Sequence, residues 1–137
     1  MEAVAGLSRL RSRHGPSETM DRLVASVTAR GMTIFARIDH GAGAAEAGLA
    51  LRPTAVLVFG NARGGTPLMQ AAQTAGIDLP LKVLVWQDGD GAVWLGFSEP
   101  SWIAHRHGII ADGVPAVLNL EKILAEIGHE AAGTGDS

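Results

Sequence analysis

Cysteine is absent from this 137-residue chain, which removes disulfides, thiolate metal sites and cysteine nucleophiles together. The same absence fits a cytoplasmic protein. Long apolar runs are also missing: nothing approaches the roughly 18 consecutive apolar residues that a membrane span requires. The opening MEAVAGLSRLRSRHGPSE lacks the apolar core of a secretory leader. A cytoplasmic chain with no membrane partner is therefore expected. Basic clusters are the third absence. The 11 Lys and Arg are scattered among 14 Asp and Glu, for a formal net charge of -3, so no stretch is suited to tracking a phosphate backbone and nucleic acid is not an expected partner. HExxH is lacking too, and no metal or cofactor is anticipated.

What remains is enough for one domain with a real core. We read residues 1–137 as a single unit, with a core at about 4–128 and a polar, frayed tail at 129–137. Residues 4–10 read as a strand weakened by Gly6. After Pro16, the apolar residues Met20, Leu23, Val24 and Val27 recur at helical spacing on one face, and Gly31 is placed to stop that helix. Met32, Ile34, Ala36 and Ile38 alternate with Thr33, Phe35, Arg37 and Asp39, the period-two pattern of a half-buried strand. Residues 41–51 are rich in Ala and Gly, with room for a short helix around 44–47.

Residues 54–59 form a near-continuous apolar run, as a central strand would. Residues 81–86 and 92–97 flank Asp88-Gly89-Asp90-Gly91, where glycines can take positive φ, so the pair reads as a hairpin. Pro100 opens a short helix through His105. Pro115 opens a longer one carrying Leu120, Ile123, Leu124 and Ile127. The resulting order is β-α-β-β-β-β-α, which argues for a two-layer α+β domain with a mostly antiparallel sheet and helices on one face.

The stretch at residues 59–82, FGNARGGTPLMQAAQTAGIDLPLK, offers the strongest candidate site. A strand empties into glycines, and Thr66 followed by Pro67 predicts a capped helix start whose amides face the preceding loop, where an anion can sit. It is not a P-loop: Lys does not follow Gly65, and Pro67 removes an amide from the cradle. Nor does GNARGG meet the dinucleotide fingerprint. Asn61, Arg63, Gly65 and Thr66 are thus candidate ligand-binding residues, with Arg63 supplying charge. The plainer reading is a capping turn. Lys82 joins the set because Lys82, Leu84 and Trp86 share one strand face, while an ion pair with Asp78 is its duller explanation.

Asp39 and His40 stand together at a strand end, where carboxylate and imidazole could do acid–base work. Adjacent strand residues point to opposite faces, so only a turn at Gly41 would bring them together, and capping is the plainer role. His105 and His107 read as a helix end. Asp88 and Asp90 are turn formers. Trp86, Trp94 and Trp102 read as core or interface anchors. Ser98 lies in no nucleophile elbow, because the second glycine of that motif is missing.

The segments ARIDHGAGAAEAGL, RPTAVLVFGNARGGTPLMQAAQTAGIDLPLKVLVWQDGDGAVWL and SWIAHRHGI resemble the bacterial and archaeal family known as domain of unknown function 302. The resemblance covers roughly residues 17–128, with GTPLMQ followed by GIDLPLK as its most distinctive string. It implies a compact β-α-β-β-β-β-α domain similar to the TATA-binding-protein fold, and a homodimer. It implies no reaction. Ala62 stands where the family often has proline, and Phe97-Ser98-Glu99 replaces a Tyr-Asn-Asp-like run. The leading reading is a non-enzymatic module that binds or senses a small polar or anionic ligand near the loop at residues 60–66, with Asp39, His40 and Lys82 as companions. Two alternatives stay open: an enzyme using Asp39 and His40, and a structural domain for homodimerisation or protein interaction.

Overall fold

The computed structural model describes residues 2–134. Five strands, β1 (Leu7–Ser12), β2 (Thr33–Asp39), β3 (Thr54–Gly60), β4 (Leu81–Gln87) and β5 (Val93–Ser98), form one sheet in the order β1-β5-β4-β3-β2. Every neighbouring pair is antiparallel. The helices are α1 (Pro16–Ala29), α2 (His40–Glu46), α3 (Ala62–Ala71), α4 (Pro100–Arg106) and α5 (Pro115–Ala132), with 3-10 turns at Gln73–Ile77 and Ala111–Gly113. This is the expected two-layer α+β architecture.

Alternation along the strands sets the layers. Leu57, Phe59, Leu81, Val83, Val85, Val93 and Leu95 turn to the helix side and are buried, where they meet Leu23 and Val27 of α1 and Val117, Leu120, Leu124 and Ile127 of α5. Each such side chain contributes about 1.5–3 kcal/mol by leaving water. The opposite face carries no helix layer. There Trp86 and Trp94 are register partners and stack at 6.5 Å with planes 22° apart. The Arg9 guanidinium lies 5.6 Å from the Trp94 ring centre. The two indoles are half-buried, which places them on the uncovered face and not in the core.

The β4–β5 hairpin forms where the glycine turn predicts it. Gly91 takes φ of +84°. The Asp88 carboxylate accepts from the amides of Asp90 (2.9 Å) and Ala92 (3.0 Å) and from Trp94 Nε1 (2.9 Å). The Trp94 bond, with the two amide bonds and against an opposing desolvation, holds the Asp88 carboxyl below its usual range.

Three expectations need correction. The first strand begins at Leu7, because Gly6 at φ +74° makes the turn that precedes it. The glycine is required twice over: a Cβ there would sit 2.3 Å from the Trp102 ring. The segment expected to fray is helical through Ala132, with Ala131 and Ala132 fully buried. The amide of Arg13 donates to the Ala132 carbonyl at 2.9 Å, and Glu130 is held by Arg30 and Ser26. Residues 135–137 of that expected tail lie outside the described residues. The third correction concerns β2. Its alternation is broken by a bulge between Ile34 and Ala36, and Phe35 and Ile38 are 57% and 43% exposed on this edge strand.

Candidate functional site

The glycine-rich segment is a helix and not a loop. α3 begins at Ala62, and its cap is Asn61, whose side chain accepts from the Gly64 amide at 2.7 Å. Thr66, expected as the cap, is an exposed residue inside the helix, and Pro67 lies one position further in. Two glycines and a proline disfavour a helix here, and Pro67 offers no N–H to the carbonyl of Arg63. Packing overrides that preference. Leu68 is fully buried, and a Cβ on Gly64 would lie 3.2 Å from Leu120 Cδ2, so the bare glycine lets α5 approach closely. With Gly64 and Gly65 donating to Asn61 oxygens, the amides of Ala62 and Arg63 are left without partners inside the helix.

Beside this terminus lies a pocket of about 470 Å³. Met32, Phe35, Met69, Leu79, Leu120 and Ile123 give it an apolar body, and Asn61, Arg63 and Asn119 are the polar side chains among its lining residues. Gly60, Gly64, Gly65 and Gly76 also line it, so short side chains are what keep the space open. Arg63 is its one ionisable residue among the described residues. Such a lining can hold a ligand with an apolar part and a negative charge. It supplies no acid or base.

The candidate residues are therefore partly brought together. Asn61, Arg63 and Gly65 share the pocket. Thr66 does not line it, and Lys82 sits on the uncovered sheet face with its ammonium donating to the carbonyls of Asp78 (3.4 Å) and Pro80 (3.1 Å). Lys82 makes a backbone contact where an ion pair with the Asp78 carboxylate was the simple expectation. Asp39 and His40 are far off: Thr33 pairs with Gly60, whereas Asp39 pairs with Ala55 at the other end of the same two strands. Six residues of strand separate the two ends by about 20 Å. Asp39 caps α2, its Oδ1 accepting from the Ala42 amide at 2.9 Å, and His40 is the exposed first residue of that helix. A second cavity of about 410 Å³ touches Asp39 and Arg37 but not His40.

One polar cluster was missed in the sequence. The Asp78 carboxylate receives Arg106 Nη1 at 2.7 and 2.8 Å and meets His107 Nε2. The other nitrogen of that ring, Nδ1, lies 2.9 Å from Thr74 Oγ1. Burial pushes the Asp78 carboxyl upward, but the His107 bond and the Arg106 charge outweigh it and hold it below the usual range. Asp78 and His107 stand 29 positions apart, so no local spacing could pair them. No group of three or more His, Cys, Asp and Glu suited to a metal ion occurs among the described residues.

Comparison with known proteins places this geometry in a family. Residues 9–127 match the model for Domain of unknown function DUF302. The chain belongs to the DUF302 family. This DUF302 chain is 50% identical over 105 residues to a protein described as "Fluoride-specific ion channel FluC 1" from Brucella suis biovar 1 (strain 1330), covering 77% of the chain and 41% of that protein. A protein of the same description from Brucella abortus biovar 1 (strain 9-941) matches at 50% identity, over 77% of the chain and 39% of its own length. The chain thus spans about two fifths of the length of these curated relatives. An uncharacterised conserved DUF302 protein from Bacillus stearothermophilus, known from its crystal structure, aligns with a TM-score of 0.81 at 20% identity. That alignment covers 93% of this chain and 99% of that one. The likeness bears on the fold, which it shares throughout.

Proposed function

We propose that the pocket of this DUF302 domain is a non-enzymatic binding or sensing site for a small anionic ligand with an apolar body. One observation carries the reading: an apolar pocket of about 470 Å³ whose one ionisable lining residue is Arg63, set beside the open end of α3. Arg63 would pair with the anion, while Met32, Phe35, Leu79 and Ile123 take up the apolar part. The Brucella relatives support an accessory role. They are described as fluoride-specific ion channels, yet no helix among the described residues of this chain is long and apolar enough to cross a membrane. In such proteins the matching region would report on, or respond to, a soluble anion while the remainder conducts.

A thermal-shift series of alkyl and aryl carboxylates, their neutral alcohol counterparts and sodium fluoride tests this reading. The carboxylates should raise the melting temperature more than the alcohols do, and Arg63→Ala should remove the difference. Equal shifts in wild type and Arg63→Ala would sink the assigned pocket. A fluoride shift lost in Arg63→Ala, without a carboxylate shift, would replace the amphipathic ligand with a bare ion.

Self-association is a second reading, favoured by the uncovered sheet face with its stacked Trp86 and Trp94. Light scattering across a concentration series checks it, and a monomer at every concentration counts against it.

A further inference from the structure

Thr74, His107 and Asp78 form a continuous hydrogen-bonded relay at the surface. Thr74 sits in the 3-10 turn Gln73–Ile77, Asp78 closes that turn, and His107 caps the C-terminus of α4. Thr74 Oγ1 lies 2.9 Å from His107 Nδ1, and Nε2 of the same ring meets Asp78 Oδ2. The imidazole side chain is 8% exposed and that of Asp78 19%, whereas Thr74 is open to solvent. Arg106 grips both Asp78 oxygens at 2.7 and 2.8 Å and fixes the carboxylate in place.

Proton positions follow from these contacts. An ionised Asp78 only accepts, so Nε2 of the neutral ring carries the hydrogen and Nδ1 is left as an acceptor. The Thr74 hydroxyl is then the donor to Nδ1. A hydroxyl bonded to an imidazole that is itself oriented by a carboxylate is the arrangement that turns a weak nucleophile into an active one, whichever ring nitrogen does the work.

We propose that Thr74 is an acyl-accepting nucleophile, with His107 as its general base and Asp78 as the positioning carboxylate, acting on small activated esters or thioesters. Thr74 is presented outward and not enclosed, which suits an acyl group arriving from solution. Ile77, three residues on in the same 3-10 turn, is 73% exposed, which puts apolar surface on the same side of the turn for an alkyl chain.

In the first step the Oγ1 proton passes to Nδ1 as the bond from Oγ1 to the acyl carbon forms and the carbonyl electron pair moves onto its oxygen. That pair returns as the bond to the leaving oxygen or sulfur breaks, and the departing group takes the proton from His107. Water then attacks the acyl-threonine, giving a proton to Nδ1. The carboxylic acid departs as that proton returns to Oγ1. Nothing is oxidised or reduced. This activity lies beyond the ligand-binding reading and does not rest on it.

The test uses the full chain at neutral pH with p-nitrophenyl acetate. The expected result is a phenolate burst approaching one per chain and a single acetyl group that peptide mapping places on Thr74. Thr74→Ala should abolish that adduct, Thr74→Ser should keep it, and His107→Gln should slow its formation by about 100-fold or more. Because Thr74 is exposed, removing its hydroxyl leaves the fold intact, so the Ala and Ser variants decide the matter even if His107→Gln melts. Acetylation confined to lysines or the terminal amine, or equal phenolate release from wild type and Thr74→Ala, would overturn the proposal. The relay would then be only a clamp between the turn and α4.

Discussion

Gly64 and Gly65 are adjacent in α3, and the structure gives them opposite responses to the same added methyl group. Both have helical backbones with φ below zero, since neither is among the positive-φ glycines. Replacing a helix-interior glycine by alanine contributes about 0.5–1 kcal/mol through the lower backbone entropy of the unfolded chain. At Gly65 the new Cβ would meet Leu79 Cδ1 at 3.5 Å and Met69 Cε at 3.8 Å. These are ordinary contacts, so the backbone gain survives. We expect Gly65→Ala to melt about 2–4 °C above wild type. At Gly64 the Cβ would lie 3.2 Å from Leu120 Cδ2 and 3.3 Å from Asn61 Oδ1, crowding both the α5 contact and the cap. Overpacking of this kind costs about 1–3 kcal/mol. Gly64→Ala should therefore melt below wild type, by up to about 10 °C. Differential scanning calorimetry of the three proteins gives the ranking directly. A Gly65→Ala melting point below that of wild type would refute the reasoning, because the helix or the open space beside it would not be as described. Gly65→Ala should also weaken the carboxylate response, since its methyl occupies the pocket.

Other outcomes follow from features already described. Glu130 is held at about 2 by hydrogen bonds from Arg30 and Ser26, against desolvation, with the Arg30 charge adding to them. Its folded-state value is depressed, so its contribution is complete above about pH 5 and lost as pH falls toward 2. With half of its side chain exposed, the pair contributes about 1 kcal/mol after screening, and Glu130→Gln should flatten this part of an acid-denaturation curve. Gly6→Ala combines φ of +74° with a 2.3 Å approach to Trp102 and should cost about 2–4 kcal/mol in urea unfolding. Asp39→Ala removes the cap of α2 and should cost about 1 kcal/mol. It should leave any carboxylate response unchanged; a loss would tie Asp39 to the pocket after all.

Elements encoded by neighbours were legible in the sequence. α1 follows from Met20, Leu23 and Val27, which are buried as their spacing requires, and the β4–β5 hairpin follows from the Asp88–Gly91 turn chemistry. Elements decided by distant packing were not. Gly64, Gly65 and Pro67 read locally as a loop with a cap at Thr66, because what makes them helical is Leu68 in the core and Leu120 arriving from α5. The candidate site shows the same division. Asn61, Arg63 and Gly65 were found because they are close in sequence and share a pocket. Asp39 and Lys82 were grouped with them on chemistry alone, and the antiparallel register of β2 with β3 carries Asp39 to the opposite end of the sheet. The pocket's apolar walls come from β2, α3, the turn after it and α5, a convergence that no single window of sequence contains.

The bulge at Phe35 also bears on how this sheet ends. An antiparallel sheet leaves a row of backbone donors and acceptors on each outer strand, open to pairing with another chain. On β1 that row is flanked by Arg9 and Arg11. On β2, where exposed Phe35 and Ile38 would otherwise invite an intruding strand, the extra residue breaks the spacing of the row between Ile34 and Ala36. An approaching strand in regular register could match one half of β2 but not both. The irregularity that interrupts the regular alternation of this strand thus guards the molecule against unwanted fibre-like growth.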